Sequence, residues 1–254
     1  MGWQPSYRTE AKIYSRYLQK EKPGAKVCVL FQNDDFGKDY LTGLHDELGD
    51  KFDQLIIKTA SYEVTDPTVD SQIVTLQASG CDTLISATTP KAGAGAIRKV
   101  YDIGWRPTFF MSNVSISQSA VLKPAGLDKS VGIITAQYLK DVSDPAMAAD
   151  PGMVAYREFV KQYLPGVEPA DANLVYGYSV ATTVVQVLKQ CGNNLSRENL
   201  MKQAASLSKF VTPLALPGIE LNTSATDFRP FSQMQLARFD GTSFVRFGEL
   251  VNVD

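Results

Sequence analysis

Residues 32–37, Gln-Asn-Asp-Asp-Phe-Gly, put two side-chain amides, two carboxylates and an aromatic ring where an apolar strand gives way to a helix. Paired carboxylates at a strand end suit a hard cation or a phosphoryl acceptor, with Lys91 at a neighbouring strand end. Gln32 and Asn33 suit the edge of a polar ligand, because open α/β sheets bind ligands beyond the carboxyl ends of their strands. The same residue types also cap helices: Asp34 and Asp35 can accept free amide donors and favour the positive helix end. Capping is the leading reading, and the other two stay open. Thr88-Thr89 before Pro90, and Asn113, stand at later strand–helix junctions, where each serves as a cap, a turn residue or a cleft contact.

Other combinations offer less. Cys28, Cys81 and Cys191 are far apart and odd in number, and with His45 as the single histidine no zinc spacing exists. Cys28 lies in an apolar strand and reads as a small buried hydrophobe. The glycines of "KAGAGAIRK" fall inside a helix and not directly after a strand, which argues against a dinucleotide fingerprint. Trp3, Trp105 and the Tyr176-Gly177-Tyr178 run read as packing residues. Net charge is −2, from 25 basic and 27 acidic side chains without a basic cluster, so nucleic acid is not a partner. No apolar run reaches the length of a membrane span. The first 22 residues are polar and amphipathic and do not form a signal peptide, so the protein is cytosolic or the residues that export it lie outside this chain.

The elements that must position these residues alternate through the first half. A helix over 6–21 ends at Pro23-Gly24. Strand "KVCVLF" precedes a helix from Phe36 to Leu48, closed by Gly49. Strand "QLIIKTASY" precedes a helix capped by Asp66 and opened by Pro67, with Val69, Ile73, Val74 and Leu76 buried. Strand "DTLISA", a helix from Pro90 to Gly104, strand "PTFFMSN", a short helix around "SISQSAVL" and strand "VGIITAQYL" follow. Such repeats predict a parallel sheet with helices on both faces. After about residue 150 come helices behind Asp150 and Ser196 and a long one, "DANLVYGYSVATTVVQVLKQCG", apolar on most faces and expected to be buried. A β tail over 211–250 contains a hairpin at Asp240-Gly241. Residues 138–231 thus carry apolar helices without parallel strands to cover them.

"VCVLFQNDDFGKDYLTGLHDELG", "ASYEVTDPTVDSQIVTLQASGCDTLISATTP", "AIRKVYDIGW", "VLKPAGL", "DPGMVAYREFV" and "YGYSVATTVVQVLKQCG" come in the order of one family. The chain resembles the type I periplasmic binding proteins of the branched-chain amino acid class, which serve ABC importers. The resemblance covers essentially all 254 residues. It implies an α/β fold of two doubly wound lobes closing on a ligand, with no enzymatic activity and no cofactor. Residues 1–137 with 232–254 correspond to a complete flavodoxin-like lobe, and 138–231 to an incomplete second lobe. On that plan the chain is truncated, Met1 is an internal methionine, and the export signal belongs upstream, with a periplasmic location.

The resemblance also implies ligand contacts at Phe36, at Thr89 beside Ala87 and Thr88, and at Asn113, with Asp35 at the cleft. Each main position departs from the amino-acid binders: Phe36 lacks a phenol oxygen, Thr89 replaces an aromatic, and Asn113 cannot supply the charge that pairs a ligand ammonium. A solute without an ammonium, such as an aromatic or other organic acid, fits better. The first-lobe half of the site is missing, so weak binding or none is expected. A membrane permease is the implied partner, and self-association through the uncovered helices of 138–231 is a further expectation. The rival reading is a flavodoxin-like α/β enzyme using Asp34 and Asp35 for metal-assisted phosphoryl chemistry.

Overall fold

The computed structural model describes residues 2–253; Met1 and Asp254 lie outside it. The chain opens with α1 (Tyr7–Glu21), whose N-cap Ser6 accepts from the Thr9 amide, and then alternates: β1 (Val27–Gln32), α2 (Asp35–Leu48), a one-turn α3 (Phe52–Leu55), β2 (Ile56–Tyr62), α4 (Asp70–Ala78), β3 (Thr83–Ala87), α5 (Pro90–Asp102), β4 (Thr108–Met111), α6 (Lys123–Ala125) and β5 (Ile134–Gln137). Three helices follow, α7 (Pro151–Tyr163), α8 (Ala172–Cys191) and α9 (Arg197–Ala204), before the hairpin of β6 (Gln233–Phe239) and β7 (Phe244–Asn252). The strands form one sheet in the order β2-β1-β3-β4-β5-β6-β7, with β1 to β5 parallel and β6 and β7 antiparallel.

The doubly wound character follows from the two-residue period of a strand. Val27 and Val29 of β1 join a core with Ile13, Tyr14 and Leu18 of α1 and Tyr40 and Leu44 of α2. Cys28 and Leu30, one residue out of phase, join the opposite core with Ile73 and Leu76 of α4 and Ile97 and Val100 of α5. Strands covered on both faces read as continuous apolar runs, as "KVCVLF" and "DTLISA" do. At the Asp240-Gly241 turn, Asp240 Oδ1 accepts from Thr242 N at 2.7 Å and Ser243 N at 2.9 Å, and Gly241 takes φ +106° without a Cβ clash.

Several expectations need correction. Cys28 is not a free buried hydrophobe: it forms a disulfide with Cys81, just before β3, across a Cα–Cα distance of 5.8 Å. Asp66 does not cap α4, because its carboxylate accepts from Glu63 N at 2.9 Å and is committed to the turn after β2; the helix begins at Asp70. Val74 is consequently 45 % exposed, on the outer side of α4. The β tail is shorter than read, since Pro213, Pro217 and Pro230 remove ladder donors and residues 211–232 leave two isolated bridges, Leu139 with Ala215 and Phe210 with Leu221. The long helix α8 is not buried on most faces. Val175, Ser179, Thr183, Val187 and Cys191 make one buried stripe, while Val184 and Val185 stay 48 % and Leu188 41 % exposed. The segment between β5 and β6 supplies no strand of its own among the described residues, so these apolar groups have no sheet to cover.

The disulfide closes a loop across a sequence separation of 53 residues, a restriction of the unfolded chain worth about 4 kcal/mol. Replacing both Cys28 and Cys81 by Ala is expected to lower the melting temperature by roughly 10 °C, read by circular dichroism. Reduction of the wild-type chain should reproduce the shift.

Candidate functional site

In a parallel sheet of order 2-1-3-4-5 the strand order reverses between β1 and β3, and the crevice there is the first place to look for a ligand. Here side chains fill it. Gln32 Oε1 accepts from Tyr62 Oη at 3.0 Å and from Thr89 Oγ1 at 3.1 Å, while Gln32 Nε2 donates to Asp34 Oδ2 at 2.5 Å. Thr89 N donates to Tyr62 Oη at 3.0 Å, so three strand ends are tied together. Asp34 is the N-cap of α2, its Oδ1 accepting from Gly37 N at 3.2 Å. Gly37 is there for space: a Cβ would lie 2.0 Å from the Gln32 carbonyl oxygen, because α2 starts directly against the end of β1. Both Asp34 oxygens are engaged in hydrogen bonds within the chain, and no group of three or more His, Cys, Asp and Glu side chains able to hold a metal occurs among the described residues.

The open space lies further along the same edge. A cavity of about 400 Å³ is floored by Asn113, Val114 and Ser117 after β4 and by Gln137 to Val142 at the end of β5. It is also lined by Ala172, Asn173 and Tyr176 of α8 and by Trp3 and Gln4 ahead of α1. Trp3 packs edge-on against Tyr176 at 5.4 Å and Phe231 at 4.8 Å, and is tilted against Tyr138 at 6.1 Å. Its indole N–H donates to Thr183 Oγ1 at 2.9 Å. These four rings bring together the segment before α1, the chain leaving β5, the chain entering β6 and helix α8.

The charges in the wall are committed inward. Lys140 Nζ reaches Asp150 Oδ1 and Oδ2, and the Pro213 carbonyl, each at 2.8 Å. Asp141 Oδ1 accepts from Ser143 N at 2.8 Å and its Oδ2 from Phe244 N at 3.1 Å. The side-chain amides of Asn113 and Gln137 make no hydrogen bond with the other described residues. The cavity thus offers rings and neutral polar groups.

Of the residues singled out in the sequence, Asn113 lines this cavity. Phe36 does not line it; Phe36 is half-buried and edge-on to Tyr7 at 4.4 Å, and Tyr7 accepts from the lining residue Gln4, Nε2 to Oη, at 2.8 Å. Thr89 lines a separate groove of about 250 Å³ between α4 and α5, together with Lys91. Ala87 and Thr88 are fully buried, Thr88 bonded to Ser86 Oγ at 2.9 Å, so neither presents surface to a cleft. Asp35 is exposed in the first turn of α2. Tyr176, which its sequence context assigns to packing, packs against the core and also lines the cavity.

Glu10 carried no signal of its own in the sequence, since an acidic residue in a first helical turn is ordinary. It is 1 % exposed. Oε1 accepts from Asn113 N at 2.8 Å and lies 2.5 Å from Tyr14 Oη, and Oε2 accepts from Tyr40 Oη at 2.5 Å. Burial pushes its carboxyl up to about 7, against the opposing pull of these hydrogen bonds. Burial likewise raises Tyr14 and Tyr40 well above the usual phenol range, with Glu10 adding to the effect.

A mostly parallel sheet with helices on both faces makes this an α/β protein, and its fold is that of the type I periplasmic binding proteins. The chain belongs to the periplasmic binding protein family, whose sequence model matches residues 1–243. Among solved structures it is similar to a substrate-binding periplasmic protein from Ralstonia solanacearum, with TM-score 0.84, 17% identity, and coverage of 97% of this chain and 68% of the other. A branched chain amino acid ABC transporter structure from Thermus thermophilus with bound valine gives TM-score 0.83, 13% identity and coverages of 97% and 65%. A fatty acid ABC transporter substrate-binding protein from Thermomonospora curvata gives 0.76, 20%, 98% and 63%. The chain therefore spans about two thirds of the length of these proteins. No curated protein matches it in a sequence search. No helix among the described residues is long and apolar enough to cross a membrane.

The buried carboxyl makes stability depend on pH. Below the ordinary value of 4.5 both folded and unfolded chains hold the Glu10 proton; as pH rises toward 7 the unfolded chain ionises first. Stability is lost across that window, on the order of 3 kcal/mol, and levels off above it. Urea midpoints measured from pH 4.5 to 8 should fall more steeply for the wild type than for Glu10→Gln.

Proposed function

We propose that the chain is a solute-binding component of an ABC transporter and that its solute occupies the cavity between Asn113, Tyr138 and Tyr176. The single observation that carries this reading is the cavity itself: a ring-lined space of about 400 Å³ at the carboxyl edge of the sheet, lined in part by α8. Family membership supports the class of function. Residues 1–137 with 232–254 act on this reading as one lobe and 138–231 as part of the other, so the aromatic cluster around Trp3 sits where the chain passes between them. Phe36 continues the site along the same edge through Tyr7, and Thr89 and Asp35 lie beyond it.

The solute class follows from charge. Among the described residues, the one carboxylate lining the cavity, Asp141, is held in place by two backbone amides, and the one cation, Lys140, is paired with Asp150. Free side-chain amides and rings instead suit an aromatic or other organic acid. The membrane permease is the further partner, and the reading needs no cofactor and no catalysis. The Cys28–Cys81 disulfide supports the periplasm, because such bonds persist in oxidising compartments. The exposed side chains of α8 support self-association through residues 138–231.

Calorimetric titration with benzoate, phenylacetate and 4-hydroxybenzoate, beside L-leucine and L-valine, tests the solute class. At least one carboxylate is expected to bind, and Tyr176→Ala to weaken it about tenfold, near 1.4 kcal/mol. Binding of an amino acid with all three carboxylates inert overturns the class. In sedimentation velocity the chain is expected as a dimer or larger, and Val185→Glu with Leu188→Glu should return it to monomer.

A further inference from the structure

The hydrogen bonds beneath Asn113 are most complete when the carboxyl group there carries a proton. Tyr14 has one hydroxyl hydrogen, and its oxygen lies 2.5 Å from Glu10 Oε1 and 2.8 Å from the Met111 carbonyl oxygen. It also accepts from Ala136 N at 3.2 Å. A carbonyl oxygen only accepts, and so does an ionised carboxylate. With Glu10 ionised, Oε1 and Met111 O compete for the single Tyr14 proton, and Oε1 keeps the Asn113 amide whichever wins. With a proton on Oε1, Glu10 donates to Tyr14, Tyr14 donates to Met111 O, and Ala136 N–H takes the remaining lone pair. Asn113 N and Tyr40 Oη keep their contacts with Glu10 in both states.

The surroundings favour the neutral state as well. The groups facing Glu10 are Tyr7 and Tyr14 on its own helix, Tyr40 on α2, the Asn113 amide after β4, and Tyr138 after β5. No cation is among them. Arg8, two residues away, is exposed and paired with Asp39 at 2.9 Å. Two further buried hydroxyls border the cluster, Ser112 Oγ on the Tyr40 side and Thr135 Oγ1 on the Tyr14 side. The cluster thus extends through hydroxyls at the two strand ends that line the cavity.

We propose that Glu10 is a positioning residue and a protonation switch for the cavity. Ionisation draws the Tyr14 proton from Met111 O, shifts the end of β4 with the Asn113 turn, and lowers affinity for an anionic solute. The inference rests on the cavity being the solute site. Two effects point the same way: the floor is rearranged, and a negative charge appears directly behind Asn113, where a carboxylate solute would lie. A solute bound to the neutral form takes up a proton whenever Glu10 starts ionised.

The test is an NMR titration of wild-type protein labelled with carbon-13 at the glutamate carboxyls and with nitrogen-15 in the backbone, joined to benzoate binding at each pH. The Glu10 carboxyl and the Asn113 amide are expected to titrate together near neutrality, as is the Trp3 indole signal. The benzoate Kd should rise about tenfold from pH 6 to pH 8, the ratio of the neutral fractions for a group with midpoint near 7. Glu10→Gln should hold the Asn113 signal still and flatten the Kd. If that variant does not fold, the wild-type titration decides alone. Ionisation of Glu10 below pH 5, or an Asn113 amide that ignores it, overturns the switch. A benzoate Kd independent of pH, with Glu10 and Asn113 titrating, overturns the linkage to solute. No benzoate binding at any pH, with that titration intact, counts against the cavity as an aromatic-acid site and leaves the switch standing.

Discussion

The carboxyl group of Glu10 joins four elements at the carboxyl edge of the sheet. Through Tyr14 it reaches β5, through Tyr40 it holds α2 against α1, and through the Asn113 amide it fixes the turn after β4. A carboxyl group removed from water is costly unless its oxygens are fully engaged or it keeps its proton. Three directed hydrogen bonds offset that cost and also dictate geometry, because each partner must arrive at a given angle. The cavity floor is the outer side of this cluster: Asn113 faces the space and its amide faces Glu10. The site therefore inherits its shape from a buried polar knot, and the apolar cores on the two sheet faces set only the frame around it.

The same edge divides into two regions with different character. At the β1 and β3 ends, Gln32, Asp34, Tyr62 and Thr89 satisfy one another, and a ligand entering there would have to break bonds already made. At the β4 and β5 ends the neutral amides of Asn113 and Gln137 are left open, and the nearby charges of Lys140 and Asp141 are spoken for. A closed network thus lies beside one that still has hydrogen bonds to give. The ring cluster of Trp3, Tyr138, Tyr176 and Phe231 adds a contact surface without adding charge.

Much of the frame was legible because it depends on local rules. The apolar runs of β1 and β3, Asp34 and Asp150 as caps, Pro90 at a helix start and Gly241 in its turn each follow from backbone sterics or from spare amide donors. What the sequence hid depends on distance along the chain. Cys28 and Cys81 meet only because β1 and β3 are neighbours, and nothing local distinguishes Cys28 from a buried hydrophobe. Glu10 has the look of a solvent-facing first-turn acid until Tyr14, Tyr40 and Asn113 are folded onto it. The cavity walls come from residues 3, 113, 138 and 176, so no motif spans them. A single rule, that strand ends carry ligands, selected Asn113, which lines the cavity, and also Ala87 and Thr88, which packing buries.

The central claim is that this cavity holds a small organic acid. Native mass spectrometry of the purified chain, compared with its denatured mass, tests it most directly. The account predicts native ions carrying one small organic molecule, co-purified or supplied as millimolar benzoate, that denaturation removes and Tyr176→Ala diminishes. Bare ions under native conditions, with aromatic carboxylates present in excess, would contradict it.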